Sequence, residues 1–310
     1  MKDIQQLFQE FIWECQFSRK LRPKTIKCYT SVFLMFSRLM SDVQIADIST
    51  ATITQFFKLV DERNRMVGKG RIKQGVKKST IASYWHKLSS FFEWLERNKH
   101  IQRNPLKQMK CPTPQYEEKQ FLTRNEVEKI FTAIYQHHNN DLLILKRNVA
   151  LFTILLFCGL RKGELLSLQI RDVDMEGKVV TVRSEYSKSG TGRKVPLNVQ
   201  VSTVLRDYLR ERKKYTSQYL FVSSKGDRQL SYEGLNHLVM RLNIASNIRF
   251  HVHQFRHTFA INFLKQSNNI FKLKELLGHK DISMTAVYLR CLPLDEMRGD
   301  VERLSIDSLL

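Results

Sequence analysis

At 310 residues and 36.6 kDa, with 42% hydrophobic residues, the chain is long enough for two ordinary domains that each bury a core. Its formal net charge of +21, from 51 Lys and Arg against 30 Asp and Glu, exceeds what solubility needs and points to a polyanionic partner, nucleic acid before a membrane surface. Cys15, Cys28, Cys111, Cys158 and Cys291 are odd in number and lack ligand spacing, the amino terminus has no signal pattern, and the longest apolar stretch, Val149 to Cys158, is about half a membrane span; a cytoplasmic protein with no structural zinc and no membrane segment is expected.

The first hundred residues read as helices at Asp3 to Phe17, Pro23 to Met40, Thr50 to Arg63 and Lys78 to Lys99, each with apolar positions at helical spacing. Pro23 suits a first helical turn, and Ser49/Thr50 and Ser79/Thr80 supply starts. Between the last two helices lies GKGRIKQGVKK, residues 68–78, with five basic residues and no acid. It reads as a solvated loop or, given the overall charge, as a flexible arm whose Lys69, Arg71, Lys73, Lys77 and Lys78 lie along a DNA backbone.

Asn104-Pro105 ends this block, so the organisation expected is a helical domain over 1–105, a proline-containing linker over 106–120, a second domain over 121–292 and a tail over 293–310. Counted about residue 118, the two halves carry +10 and +11. In the second domain, Thr123 and Glu126 form a capping box for a helix through Tyr135, and Leu142 to Cys158 is apolar enough to be the domain's central helix. VVTVRS, the turn SKSGTG and RKVPLN then read as a small β-hairpin. Helices resume at Val199 to Lys213, Ser231 to Ser246, His253 to Gln266 and Ile270 to Leu277, and an amphipathic tail runs from Pro293 to Leu310. The fold class is therefore mainly α with a small β-hairpin or sheet.

Arg161, Lys188, His253, Arg256, His279 and Tyr288 follow one another through this second half. Three positive charges, two imidazoles and a phenol are a set suited to attacking a DNA phosphate without a metal ion: charge for the pentacoordinate phosphorus, proton donors for the leaving group, and a nucleophile. His253 and Arg256 stand three apart on one helix face, with Phe255, Phe259 and Phe263 as a separate apolar stripe. Gly278 can close the preceding helix and aim His279.

The segments CGLRKGELLSL (158–168), SKSGTGRKVPL (187–197), HQFRHTFA (253–260), LLGH (276–279) and Tyr288 together resemble the tyrosine recombinases, or phage-type integrases, most nearly their compact two-domain Xer-like group. The resemblance implies a helical, SAM-like core-binding domain followed by a mixed, mostly helical catalytic domain. It makes Arg161 and Arg256 the phosphate clamp, Lys188 the proton donor to the departing 5′ oxygen, with Lys178 as fallback, and His253 an acid/base or phosphate donor. His279 would bind the phosphate, Glu164 would brace the site from behind, and Tyr288 would be the nucleophile of a 3′-phosphotyrosyl intermediate. His257 is expected behind the site. The implied partners are double-stranded DNA, a homotetramer on paired sites, and accessory DNA-bending or directionality proteins; no cofactor is implied. A type IB topoisomerase and a catalytically silent DNA-binding accessory protein are the rival readings.

Overall fold

The computed structural model describes residues 3–68, 70–113, 120–137, 140–187, 190–223 and 226–292. The chain divides into two compact units, Met1–Glu117 and Glu118–Leu310. Among the described residues no helix is long and apolar enough to cross a membrane.

The first unit packs four helices, α1 (Ile4–Trp13), α2 (Pro23–Leu39), α3 (Thr50–Glu62) and α4 (Lys78–Arg97). Pro23 occupies the first turn of α2, and the Ser49 hydroxyl accepts from the Thr52 N–H to start α3. Their apolar stripes meet in an aromatic core: Phe8 stacks on Phe33 at 3.7 Å, and the Phe91 ring lies edge-on to both. Leu106, placed in the linker from sequence, is fully buried in this core. After α1 the chain makes one π-helical turn, Glu14–Ser18, where the Glu14 carboxylate accepts from Trp94 Nε1 at 2.6 Å and pairs with Arg19 and Arg97.

The basic segment after α3 is not the flexible arm expected. Strands β1 (Asn64–Val67) and β2 (Arg71–Gln74) pair antiparallel, with Arg65 opposite Lys73 and Met66 opposite Ile72. Gly75 closes the hairpin at φ +64°, where a Cβ would come 2.6 Å from the Asp61 carbonyl. Arg71, Lys73, Lys77 and Lys78 are exposed; Lys69 lies outside the described residues.

The second unit is built around α6 (Leu142–Cys158), buried on nearly every side as its continuous apolar sequence demands. Asp141 caps its start, and Gly159, left-handed at φ +60°, ends it. Around it lie α5 (Arg124–Gln136), α7 (Lys162–Ser167), α8 (Val199–Arg212), α9 (Tyr232–Ser246), α10 (Val252–Ser267), α11 (Ile270–Leu277) and the four-residue α12 (Ser283–Ala286). The expected hairpin is a three-stranded antiparallel sheet in the order β3 (Val173–Asp174), β4 (Val179–Val182), β5 (Arg193–Pro196). Val180 faces Val195 and Val182 faces Arg193, so the alternation that sends Val195 into the core sends Arg193 inward too.

Candidate functional site

Two helix ends that terminate in left-handed glycines make the floor of the site. Such an end leaves backbone carbonyls without partners and carries partial negative charge, which suits guanidinium groups. At the end of α6, Gly159 O accepts from Arg256 Nη1 at 2.7 Å. At the end of α11, three successive carbonyls accept from three arginines: Leu276 from Arg193 Nε at 2.6 Å, Leu277 from Arg256 Nη2 at 2.8 Å, and Gly278 from Arg161 Nη2 at 3.3 Å. A side chain at either glycine would be strained by the positive φ. A Cβ on Gly159 would lie 2.3 Å from the Phe259 ring, and one on Gly278 would lie 3.0 Å from the Arg193 guanidinium.

Glu164 ties this group together. On the first turn of α7, its carboxylate accepts from the Arg161 backbone N–H at 2.9 Å and Nη1 at 2.7 Å, and from Arg193 Nη1 at 3.1 Å and Nη2 at 2.8 Å. Burial opposes its ionisation, but Arg193 and then Arg161 hold the carboxyl down at about 2. Arg193 was missed from sequence, although the in-out alternation of Arg193, Val195 and Leu197 carries the signal.

Arg256 is buried, and burial together with nearby Arg161 lowers its guanidinium to about 9, so it stays charged at neutral pH. Its Nη2 also meets His279 Nε2 at 2.9 Å, and His279 Nδ1 meets Thr285 Oγ1 at 2.8 Å. Burial, then Arg256, Arg161 and Arg193, push the His279 ring down to about 3. His279 is therefore neutral, and with Nε2 accepting from Arg256, the proton sits on Nδ1 and is donated to Thr285.

Tyr288 lies between α12 and a 3₁₀ turn at Leu289–Cys291, only 3% exposed, against Ala260, Ile261, Leu264, Leu273 and Leu277. Its phenol is raised by burial, an effect opposed by Arg256 and Arg161. The His257 ring is not set apart from the phenol: its Nδ1 lies 2.9 Å from Tyr288 Oη. His253 is on the same helix, its ring edge-on to His257 at 4.5 Å, and His251 caps α10.

Arg161, His253, Arg256, His279 and Tyr288 thus line one cleft of about 620 Å³, with His257 and Lys280 beside them. A larger groove of about 990 Å³ between α5, α6 and α10 holds none of these groups, so volume does not mark the site. Lys188 lies outside the described residues; its fallback, Lys178, sits in the left-handed turn before β4. Among the described residues no three His, Cys, Asp or Glu side chains are grouped to hold a metal ion.

An arrangement of this kind can grip an anion with two guanidiniums, offer imidazole hydrogen bonds and present a phenol oxygen. Comparison with known proteins agrees. Residues 120–293 match the model of the phage integrase family, and residues 7–102 match that of the phage integrase N-terminal SAM-like domain. The chain is 30% identical over 230 residues to the tyrosine recombinase XerC of Vibrio parahaemolyticus, covering 72% of this chain and 71% of that one. It is 27% identical over 294 residues to a tyrosine recombinase of Thermosipho africanus, covering 93% and 95%. Its fold resembles that of a Tn1549 transposon integrase in complex with transposon right end DNA, with TM-score 0.78, 20% identity and coverage of 97% and 99%. It also resembles the XerH site-specific recombinase bound to a palindromic difH substrate, with TM-score 0.72, 20% identity and coverage of 93% and 81%. Site, sequence and fold converge: the chain belongs to the phage integrase family, the tyrosine recombinases.

Proposed function

We propose that this protein is a site-specific DNA recombinase in which Tyr288 Oη attacks a backbone phosphorus, leaving a 3′-phosphotyrosyl link and a free 5′ hydroxyl. The 5′ hydroxyl of a partner duplex then attacks that link and reseals the strand. Arg161 and Arg256 bind the non-bridging oxygens and stabilise the pentacoordinate phosphorus, a role that metal ions fill in other phosphoryl-transfer sites, so neither ATP nor a divalent metal is called for. His253 and His279 serve as hydrogen-bond donors to the phosphate, Lys188 protonates the 5′ oxygen, and Glu164 orients the arginines.

The observation that carries this reading is the gathering of the Tyr288 phenol with Arg161, Arg256 and His279 in one cleft. Double-stranded DNA as partner is supported by the net charge of +21 and by the DNA-bound recombinases of similar fold. The two units are the DNA-binding and catalytic domains. Recombination joins two duplexes, so the active assembly is a homotetramer, with accessory DNA-bending or directionality proteins joining at the site; the tail over 293–310, expected to be exchanged with a neighbouring protomer, lies outside the described residues. The exposed hairpin cations contact the DNA backbone.

The test is incubation with nicked duplexes carrying candidate sites in EDTA, read on denaturing gels. A covalent protein–DNA adduct that Tyr288→Phe cannot form is expected, and strand-exchange products separate a recombinase from a topoisomerase. Adduct formation by Tyr288→Phe, or a strict need for metal, would refute the reading.

A further inference from the structure

A phenol becomes a competent oxygen nucleophile only as its proton departs, and that proton needs an acceptor. Tyr288 is 3% exposed, which leaves little access for solvent base, and burial holds its hydroxyl above the usual phenol range. Arg256 stabilises the phenolate by charge and hydrogen bonding but cannot accept a proton. His279 Nε2 is engaged as acceptor to Arg256, and its Nδ1 serves Thr285. His257 differs. Its Nδ1 stands 2.9 Å from Tyr288 Oη, well inside proton-transfer reach, and the ring is held there by burial at 7% exposure and by edge-on packing with His253.

We propose that His257 is the general base for Tyr288 and so a catalytic residue of the cleavage step, an inference that rests on Tyr288 being the nucleophile. The phenol proton passes to the Nδ1 lone pair as an Oη lone pair forms the Oη–P bond. The P–O5′ bond breaks with its electron pair on O5′, which takes a proton from the site's acid, for which Lys188 is the candidate. In resealing, the 5′ hydroxyl returns its proton to that acid as it attacks phosphorus, the Oη–P bond breaks, and Oη recovers its proton from the His257 imidazolium. Both groups end as they began. The step requires His257 neutral with its proton on Nε2, opposite to the tautomer of His279.

The charged and titratable groups around the pair are His253 and Arg256 on the same helix, Arg161, His279 and Lys280 elsewhere along the cleft, and Cys291 beyond Tyr288. Arg256, held at about 9, is charged near neutral pH, and His279, held at about 3, is neutral from about pH 6 upward. His253 is a second imidazole beside the pair, so the test includes a readout specific to the phenol proton.

The substrate is a nicked duplex selected from a random-sequence pool by binding to Tyr288→Phe. Adduct formation in EDTA is timed from about pH 6 to pH 8 for the unaltered protein, His257→Asn and His257→Gln, each at saturating protein. Both variants are expected to be slower on the order of 10²-fold or more near neutral pH, with rates that climb steeply with hydroxide where the unaltered protein levels off. Replacing Tyr288 by a fluorotyrosine, whose phenol is more acidic, is expected to restore most of the loss in the variants and change the unaltered protein little. Variant rates equal to the unaltered protein's, or reduced by the same factor at every pH without fluorotyrosine rescue, overturn the role of His257. Failure of the unaltered protein to form an adduct, or its formation by Tyr288→Phe, overturns the nucleophile itself and is thereby distinguished.

Discussion

Arg256 and His279 satisfy one another: the guanidinium donates from Nη2 to imidazole Nε2 at 2.9 Å. The nitrogen through which His279 would donate to a phosphate is therefore an acceptor in the free protein. A phosphate that draws Arg256 toward itself and offsets the surrounding positive charge would also favour a proton on His279.

Nitrogen NMR of the His279 ring should accordingly report a neutral ring with its proton on Nδ1 down to about pH 5, given a value held at about 3. Bound duplex should raise that value by about a unit or more. An imidazolium at neutral pH without DNA would contradict the tautomer derived from Arg256 and Thr285. Since the folded value lies below the ordinary 6.5, the unfolded chain binds more protons between the two, and this histidine contributes to loss of stability as pH falls through that window.

Glu164 gives a second pH signature. Its folded value of about 2 lies below the ordinary 4.5, so its stabilisation is fully present above 4.5 and is lost as pH falls toward 2. The linkage amounts to about 3 kcal/mol. Glu164→Gln should remove that acid-sensitive portion and, by leaving Arg161 and Arg193 without their carboxylate, cost about 3 kcal/mol or more at neutral pH. Urea melts at several pH values check both; a variant as stable and as acid-sensitive as the parent would remove Glu164 from the role given to it.

Gly159→Ala should destabilise the second unit by about 3 kcal/mol, combining left-handed strain with a Cβ driven into the Phe259 ring. Because Gly159 O also anchors Arg256, adduct formation should fall as well. Chemical denaturation and cleavage rates measured together test the pair.

The hairpin cations can be counted by salt. If Arg71 and Lys73 each meet a phosphate, the double alanine variant should lower the slope of log affinity against log salt by about 2. An unchanged slope would place this ribbon away from the backbone.

Removal of residues 295–310 should leave single-site binding and adduct formation largely intact while abolishing recombination and assembly on paired sites. Native-gel assembly and product yields report this, and unchanged recombination would reject tail exchange.

Much of the site was legible because its residues sit where local sequence rules are strong. Asp141 and Gly159 bracket a continuous apolar run, so α6 and the place of Arg161 just beyond it follow from capping and burial. Gly278 fixes the end of α11 and hence the aim of His279. The hairpin after α3 was not legible because Met66 and Ile72, its cross-strand pair, are 78% and 72% exposed and bury no face that alternation could reveal. Strand β3 is two residues long, too short for any period. Alternation can mark Arg193 as inward-facing, and His257 was expected behind the site, but the partners of both escaped for another reason. Each acquires its partner, Glu164 or Tyr288, from a distant element, and such pairings are products of packing rather than of spacing.

The last turn of α11 works as a shared mount, with Arg193, Arg256 and Arg161 fastened to adjacent carbonyls of a single peptide run. Their mutual spacing is inherited from helix geometry rather than negotiated between separate loops. Disturbing this one turn would take a hydrogen bond from all three guanidiniums at once, leaving Arg256 on Gly159 and the other two on Glu164.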